Sequence, residues 1–210
     1  MQVSSLSCEL PTLSDKKKLV AGVDEVGRGA LFGPVVAAAV ILPASALPQL
    51  ALAGVKDSKQ LSASRRLKLA EEIKSTALDW RIGYATRNEI DQINILQASL
   101  LAMKRAVLKL QVQPDLCLVD GRQSLKDLSV PQRTMVKGDQ RSLEIAAASV
   151  VAKVWRDDLV MRLARRYPNY DLTANKGYGT QRHRLGLQQY GASPQHRLSF
   201  RPCRVDTIQN

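Results

Sequence analysis

Aromatic rings are scarce in this 210-residue chain, at 4% of positions, so its core has to come from aliphatic side chains within the 45% hydrophobic content. Cysteine is scarcer still. Cys8, Cys117 and Cys203 are odd in number and form no CxxC pair, which argues against zinc and a disulfide framework and favours a reducing interior. His183 and His196, the two histidines, lie in basic, polar stretches and are expected to be structural or phosphate-contacting groups rather than metal ligands. The longest apolar run, around Val35 to Leu42, falls far short of the roughly 18 residues that cross a bilayer. The opening MQVSSLSCEL lacks the basic start and apolar core of a secretory signal. These absences predict a cytoplasmic protein with no membrane association. No Walker motif exists. Gly27-Arg28-Gly29 is followed by Gly33 and then an apolar strand, so GxGxxG fails in both spacing and context.

What is abundant is positive charge. Lys and Arg number 31 against 19 acids, a net charge of +12, which favours a polyanionic partner through counterion release. From Lys153 to Arg204 there are eleven Lys or Arg and three acids, together with Tyr167, Tyr170, Tyr178 and Tyr190. Cations interleaved with rings suit a sugar-phosphate backbone.

Hydrophobic patterning predicts strands at 19–26, 35–42, 80–86, 116–120 and about 134–137. Helices are predicted over 63–78, with Leu67, Ala70, Ile73 and Ala77 on one face, over 95–110, and over about 142–166. Pro168 stops the last of these, and a shorter helix follows Thr180. Strands mixed with helices indicate an α/β fold. The division read from this pattern is a flexible N-terminal arm (1–18), a sheet domain (19–168) and a basic, helical C-terminal substrate-binding region (169–210). No dimer seam is evident, so a monomer is expected.

Apolar strands deliver four acids: Asp24 and Glu25 in LVAGVDEV, Asp120 ending LCLVD, and Asp139 after TMVK. A lone acid of this kind more often caps a helix or pairs with an Arg. Acids at three strand ends favour a shared site, and oxygen-only ligands suit Mg²⁺ or Mn²⁺. Carboxylates around two such ions are suited to cutting phosphodiesters. Adjacent strand residues face opposite ways, so Asp24 and Glu25 share a site only if β-structure bends or ends there. Spacing alone reads Gly27 and Gly29 as a tight turn; the functional alternative is main-chain N–H groups approaching a sugar or phosphate.

The blocks GVDEVGRG (22–29), GPVVAAAV (33–40), Asp57-Ser58-Lys59, Asn94-Ile95-Leu96-Gln97 and Asp120-Gly121 resemble bacterial ribonuclease HII. Lys137-Gly138-Asp139, Ala146 to Ser149, Ala152-Lys153-Val154, Arg156-Asp157, Lys176 to Thr180 and His196 to Phe200 continue the resemblance in the family's order. It implies a ribonuclease H-like fold: a five-stranded mixed sheet flanked by helices, with a small helical C-terminal region. It also implies an endonuclease acting on RNA–DNA hybrids and on DNA containing ribonucleotides. Cleavage 5′ of the ribonucleotide would leave 3′-hydroxyl and 5′-phosphate ends and begin ribonucleotide removal during replication and repair. By the same resemblance Asp24, Glu25, Asp120 and Asp139 hold two divalent cations, Mn²⁺ or Mg²⁺. Gly27-Arg28-Gly29 then reads a ribose 2′-OH, Tyr178 packs on the following deoxyribose, and Ser58 and Lys59 contact phosphates.

Three features depart from the family's pattern or leave a choice. Ala30-Leu31-Phe32 is unusual in its turn, and Arg122-Gln123 replaces a common Asn at the site's rim. Asp157 rivals Asp139 for the fourth acidic position, although an ion pair with Lys153, Arg156 or Arg162 is the preferred reading. For Tyr178, the residues alone favour a loop pin over substrate contact. The competing functions are another nuclease of the same superfamily and a non-catalytic RNA-binding module.

Overall fold

The computed structural model describes residues 18–55 and 61–204. Val20–Val26 (β1) and Val35–Ile41 (β2) form an antiparallel pair. The chain continues through Leu47–Leu52 (α1), Ala63–Thr76 (α2), Asp79–Ala85 (β3) and Arg87–Leu108 (α3). Leu116–Asp120 (β4) and Gln132–Met135 (β5) complete a mixed sheet of order β3-β2-β1-β4-β5. Gly138–Arg141 (α4), Leu143–Ala164 (α5), Leu172–Asn175 (α6) and Gln181–Tyr190 (α7) follow. The five-stranded mixed sheet with flanking helices is the expected fold.

β2 is buried along its whole length, which fits its run of Val, Ala and Ile. One sheet face, with Val23, Ala37 and Ala39, packs on Ala98, Ala102 and Met103 of α3. The other, with Ala38 and Val40, packs on Ile73 of α2 and Ala147 and Val151 of α5. Each long helix comes down on a glycine. A Cβ at Gly22 would lie 2.0 Å from the Glu144 carbonyl carbon at the start of α5, and one at Gly83 would lie 2.1 Å from the Ala102 carbonyl oxygen of α3. Only hydrogen fits at either point.

Several boundaries differ from the sequence reading for local reasons. The helix expected over 95–110 does start there: Asn94 (φ 68°) is non-helical, and its side chain accepts hydrogen bonds from Leu96 N and Gln97 N as a cap. What the pattern missed is the helical stretch leading into it from Arg87, where Thr86 and Glu89 form a capping box. Leu67, expected on the buried face of α2, is 51% exposed; Leu69, Ala70 and Ile73 are buried instead. β5 ends at Met135, so the strand expected at 134–137 stops early and α4 intervenes before α5. The arm assigned to 1–18 lies outside the described residues except for Lys18.

Residues 168–203 pack back on the turn after β1. Leu31 and Phe32 join Val160, Ala164, Tyr170, Leu172, Leu187 and Cys203 in a third apolar cluster. Backbone bridges Ala30–Tyr178 and Phe32–His196 fix this turn between two C-terminal segments. No helix among the described residues is long and apolar enough to cross a membrane.

Gly22→Ala should destabilise the fold by about 1–3 kcal/mol, the usual cost of overpacking, because the new methyl meets helix backbone rather than a movable side chain. Urea unfolding checks this, and an unchanged midpoint would show that α5 does not rest on β1 at Gly22.

Candidate active site

The acids gather where β1 and β4, running parallel, reach their C-terminal ends. Asp24 sits opposite Ala38 and Glu25 opposite Ala37, so the two side chains leave opposite sheet faces as strand alternation requires. They meet because β1–β4 pairing stops at Val23–Val119. Past that pair the edge of β1 is uncovered, and Asp120 terminates β4 beside it. One carboxylate oxygen each from Asp24, Glu25 and Asp120 lies within 4.8 Å of the others.

Asp24 is 5% exposed. It accepts from the Glu25 N–H at 2.7 Å and from the Ser149 hydroxyl. Its carboxyl is nevertheless held well above the ordinary carboxylate range, first by burial and then by the charges of Glu25 and Asp120. Burial also raises Glu25, against the opposing charge and hydrogen bond of Arg28 at 3.1 Å. Asp120 Oδ1 accepts from Gly138 N at 2.7 Å. This bond ties β4 to the start of α4, and Asp139 lies in that first turn. Asp139 therefore comes from a short helix, and the expectation of acids at three strand ends is corrected to two strands and one helical turn. It stands outside the tight trio but lines the same cavity of about 330 Å³, with Arg66, Ser149, Lys153 and Tyr178.

Glu25 and Asp120 also line a second cavity of about 370 Å³ on the α3 side, with Arg28, Gly121, Arg122 and Gln123. The residues replacing the common Asn thus do sit on the rim. The donor set fits a hard divalent cation: it is all oxygen, partly buried, and strained by its own repulsion. Ligands on opposite sides of one such ion at about 2.0–2.1 Å are roughly 4 Å apart, close to the observed spread.

The turn Gly27-Arg28-Gly29 follows β1 directly, with Gly27 buried at φ +89° and Arg28 and Gly29 exposed. The Ala30–Tyr178 bridge and the Leu31 N to Gly177 O hydrogen bond (2.8 Å) place Tyr178 beside it. Main chain does the pinning here. The Tyr178 ring is left half-buried at the acidic cavity, with Lys153 Nζ and Arg156 Cζ each 5.6 Å from its centroid. Asp157 pairs with Lys153 at 2.9 Å, as preferred for it. Ser58 and Lys59 lie outside the described residues.

Burial decides between alternatives elsewhere. His183 and His196 are fully buried, so of the two expected roles the structural one holds and neither contacts phosphate. The Tyr178 carbonyl accepts from His183 Nδ1, and Ser193 N–H donates to His196 Nδ1. His196 Nε2 therefore carries the proton shared with His183 Nε2 at 2.9 Å, and both rings are neutral. Burial, then the neighbouring His183, pushes His196 down to about 4. Arg156 and Arg197 are also fully buried, so the basic stretch offers the solvent fewer cations than its sequence count. Sequence reasoning gave no role to Ser149 or Arg66, and placed Lys153 only as a partner of Asp157, not at the acidic cavity. For Ser149 the available signal was a lone hydroxyl within an otherwise apolar run, Ile145 to Ala152.

The chain is similar to known proteins along most of its length. The family model described as Ribonuclease HII matches residues 21–203. A Ribonuclease HII of Nostoc sp. is 67% identical over 195 residues, covering 93% of this chain and 87% of the relative. The crystal structure of ribonuclease H2 from Pyrococcus horikoshii superposes with a TM-score of 0.77 at 28% identity, covering 89% of this chain and 95% of that one. The Mn²⁺ complex of Bst-RNase HIII superposes with a TM-score of 0.69 at 20% identity, over 89% of this chain and 68% of that one, and so shares the fold.

Asp24→Asn should raise the melting temperature in chelator at neutral pH. A carboxyl whose folded pKa is raised holds its proton more tightly than in the unfolded chain. Its ionisation therefore removes stability as pH rises through the raised value, and the gain from Asn should shrink as pH falls toward 4. The expected gain is on the order of 1 kcal/mol, about 2–4 °C for a chain of this size. Mg²⁺ or Mn²⁺ should stabilise the wild type and have less effect on the variant. Calorimetry with and without metal tests this; a variant melting lower than wild type in chelator would refute the repulsion described.

Proposed function

The chain belongs to the ribonuclease HII family, and from this premise we propose that it nicks duplex DNA on the 5′ side of an embedded ribonucleotide and cuts the RNA strand of RNA–DNA hybrids. As a member it is a metal-dependent endoribonuclease. The products would carry 3′-hydroxyl and 5′-phosphate ends, and the role would be ribonucleotide removal in replication and repair. The observation that carries this reading is the meeting of three carboxylates within 4.8 Å beside a turn bridged to Tyr178.

Asp24, Glu25, Asp120 and Asp139 would hold two divalent cations, Mg²⁺ or Mn²⁺, which when bound activate water and stabilise the leaving oxygen. The Mn²⁺ in the Bst-RNase HIII structure supports this choice of ion. Ser149 orients Asp24 by its hydrogen bond, and Gly138 N–H orients Asp120. Gly27-Arg28-Gly29 offers main-chain groups to the ribose 2′-OH. The Tyr178 ring meets the next sugar, which must lack that hydroxyl. Ser58 and Lys59 contact backbone phosphates. Exposed Arg182, Arg184, Arg201 and Arg204 in the 169–210 region supply the docking charge. The same reading has the chain act as a monomer in the cytoplasm, a setting with which the free, buried Cys117 and Cys203 accord.

The founding test is a duplex with one ribonucleotide, incubated with Mg²⁺ or Mn²⁺, which should give a single nick. Asp120→Asn should fold and lose more activity than the roughly 10–100-fold that removal of an outer-sphere partner costs. Near wild-type cutting by that variant would remove Asp120 from the site.

Tyr178→Phe should keep most activity, since the ring is retained. Tyr178→Ala should lose about 1–3 kcal/mol on the single-ribonucleotide duplex and less on a four-ribonucleotide one. Equal losses on both, with a lower melting temperature, would mean that the ring is structural.

A further inference from the structure

Arg156 and Arg197 are fully buried, and among the described residues neither forms an ion pair with a carboxylate. Arg156 donates to the carbonyls of Phe32 (3.0 Å), Pro34 (3.1 Å) and Lys176 (2.9 Å). Arg197 donates to those of Gly33 and Arg28, both at 2.9 Å, lies 5.2 Å from the Phe200 ring, and leaves its Nη2 without a partner. Burying two uncompensated cations is costly, and neutral side chains would fill the space more cheaply. What the pair supplies is orientation: four of the five carbonyls belong to residues 28–34, the turn leading away from the acids.

Orientation of a carbonyl fixes an N–H as well. In a trans peptide the C=O and the following N–H point in opposite directions. With the Arg28 carbonyl drawn inward by Arg197, the Gly29 N–H faces outward, where Gly29 is exposed. The two glycines then separate in role. A Cβ at Gly27 would lie 2.1 Å from Arg156 Nε, so this residue is a glycine because the turn rests on a guanidinium. A Cβ at Gly29 would meet no protein atom within 4 Å, so nothing in the fold excludes a side chain there. Its open side is where a ligand would approach.

We propose that Arg197, with Arg156 beneath Gly27, is a positioning residue for ribose recognition: its hydrogen bond to the Arg28 carbonyl aims the Gly29 N–H at the substrate. The proposal rests on the reading of Gly27-Arg28-Gly29 as the sensor of the 2′-OH. Lys at 197 keeps the charge but lacks the planar fork that holds two carbonyls at once.

The experiment compares wild type, Gly29→Ala and Arg197→Lys, assayed well below their melting temperatures with Mg²⁺. It measures kcat/KM on a duplex bearing one ribonucleotide and the Kd for an all-DNA duplex of the same sequence. Gly29→Ala should melt with wild type and lose at least about tenfold in kcat/KM, since the methyl blocks only the ligand. Arg197→Lys should lose at least about tenfold in kcat/KM while its all-DNA Kd stays within about twofold of wild type. A Gly29→Ala enzyme with full activity overturns the sensor reading. A Gly29→Ala enzyme that fails beside an Arg197→Lys enzyme that works overturns the positioning role alone. An Arg197→Lys enzyme that loses kcat/KM and all-DNA affinity equally also overturns it. If Arg197→Lys does not fold, Phe200→Leu, which removes the ring against the guanidinium, carries the test. A drop of at least about threefold in kcat/KM at constant all-DNA Kd is then expected, and no drop overturns the proposal.

Discussion

Carboxylates that repel one another at the end of a sheet are the constraint around which this molecule is arranged. Asp24, Glu25 and Asp120 cannot disperse, because two are consecutive on a central strand and the third closes the neighbouring one. The ionised forms of Asp24 and Glu25 are disfavoured by burial, against which the Ser149 hydroxyl, the Glu25 amide and Arg28 work. A divalent cation bound at this cluster would relieve the repulsion among the three carboxylates.

A second consequence concerns how a duplex can approach. Glu25 and Asp120 line cavities on both sheet faces, while Asp24, Ser149 and Lys153 belong to the α5 side and Arg122 and Gln123 to the α3 side. The acids form an edge between two hollows rather than the floor of one pocket. A double-stranded substrate suits an edge, because one strand can be presented to the acids while the flanking sugars lie to either side. The Tyr178 segment and the Gly27-Arg28-Gly29 turn are joined by main-chain bridges, so the parts that would sense two successive sugars move as one piece.

Much of this was legible in the sequence, and the parts that were not share a physical cause. The strands carrying Asp24 and Asp120 announce themselves by apolar runs ending in an acid, and the helices by their spacing. The resemblance supplied the tight grouping and the roles. Asp139 was misplaced on a strand end because Lys137, in a left-handed conformation, starts a four-residue helix that leaves no periodic trace. The helical stretch from Arg87 to Ile93 was missed because it is short and largely polar, with Ile90 its one fully buried apolar side chain. Arg156 and Arg197 counted toward the basic docking stretch, and His183 and His196 were left between structural and phosphate-contacting roles, because a charged or polar side chain does not by itself signal burial. The burial of Arg156, Arg197 and His196 comes from contacts distant along the chain, with Phe32, Gly33 and Pro34, and composition does not encode those. The spatial partnership of Ser149 with Asp24 likewise depends on the tertiary seat of α5.

That seat is worth a mechanical reading. Helices usually ride on a sheet through interleaved side chains, each with torsions that can slip by a few tenths of an ångström. At Gly22 and Gly83 there is no such cushion: backbone lies against backbone, once on each face of the sheet. A joint of this kind has no soft torsional coordinate, so the offset between α5 and β1 inherits the stiffness of peptide geometry. Gly22 lies two residues before Asp24, and the same helix carries Ser149 and Lys153 to the cavity. The spacing of Asp24 from Ser149 and Lys153 is therefore set by one missing methyl group, at Gly22.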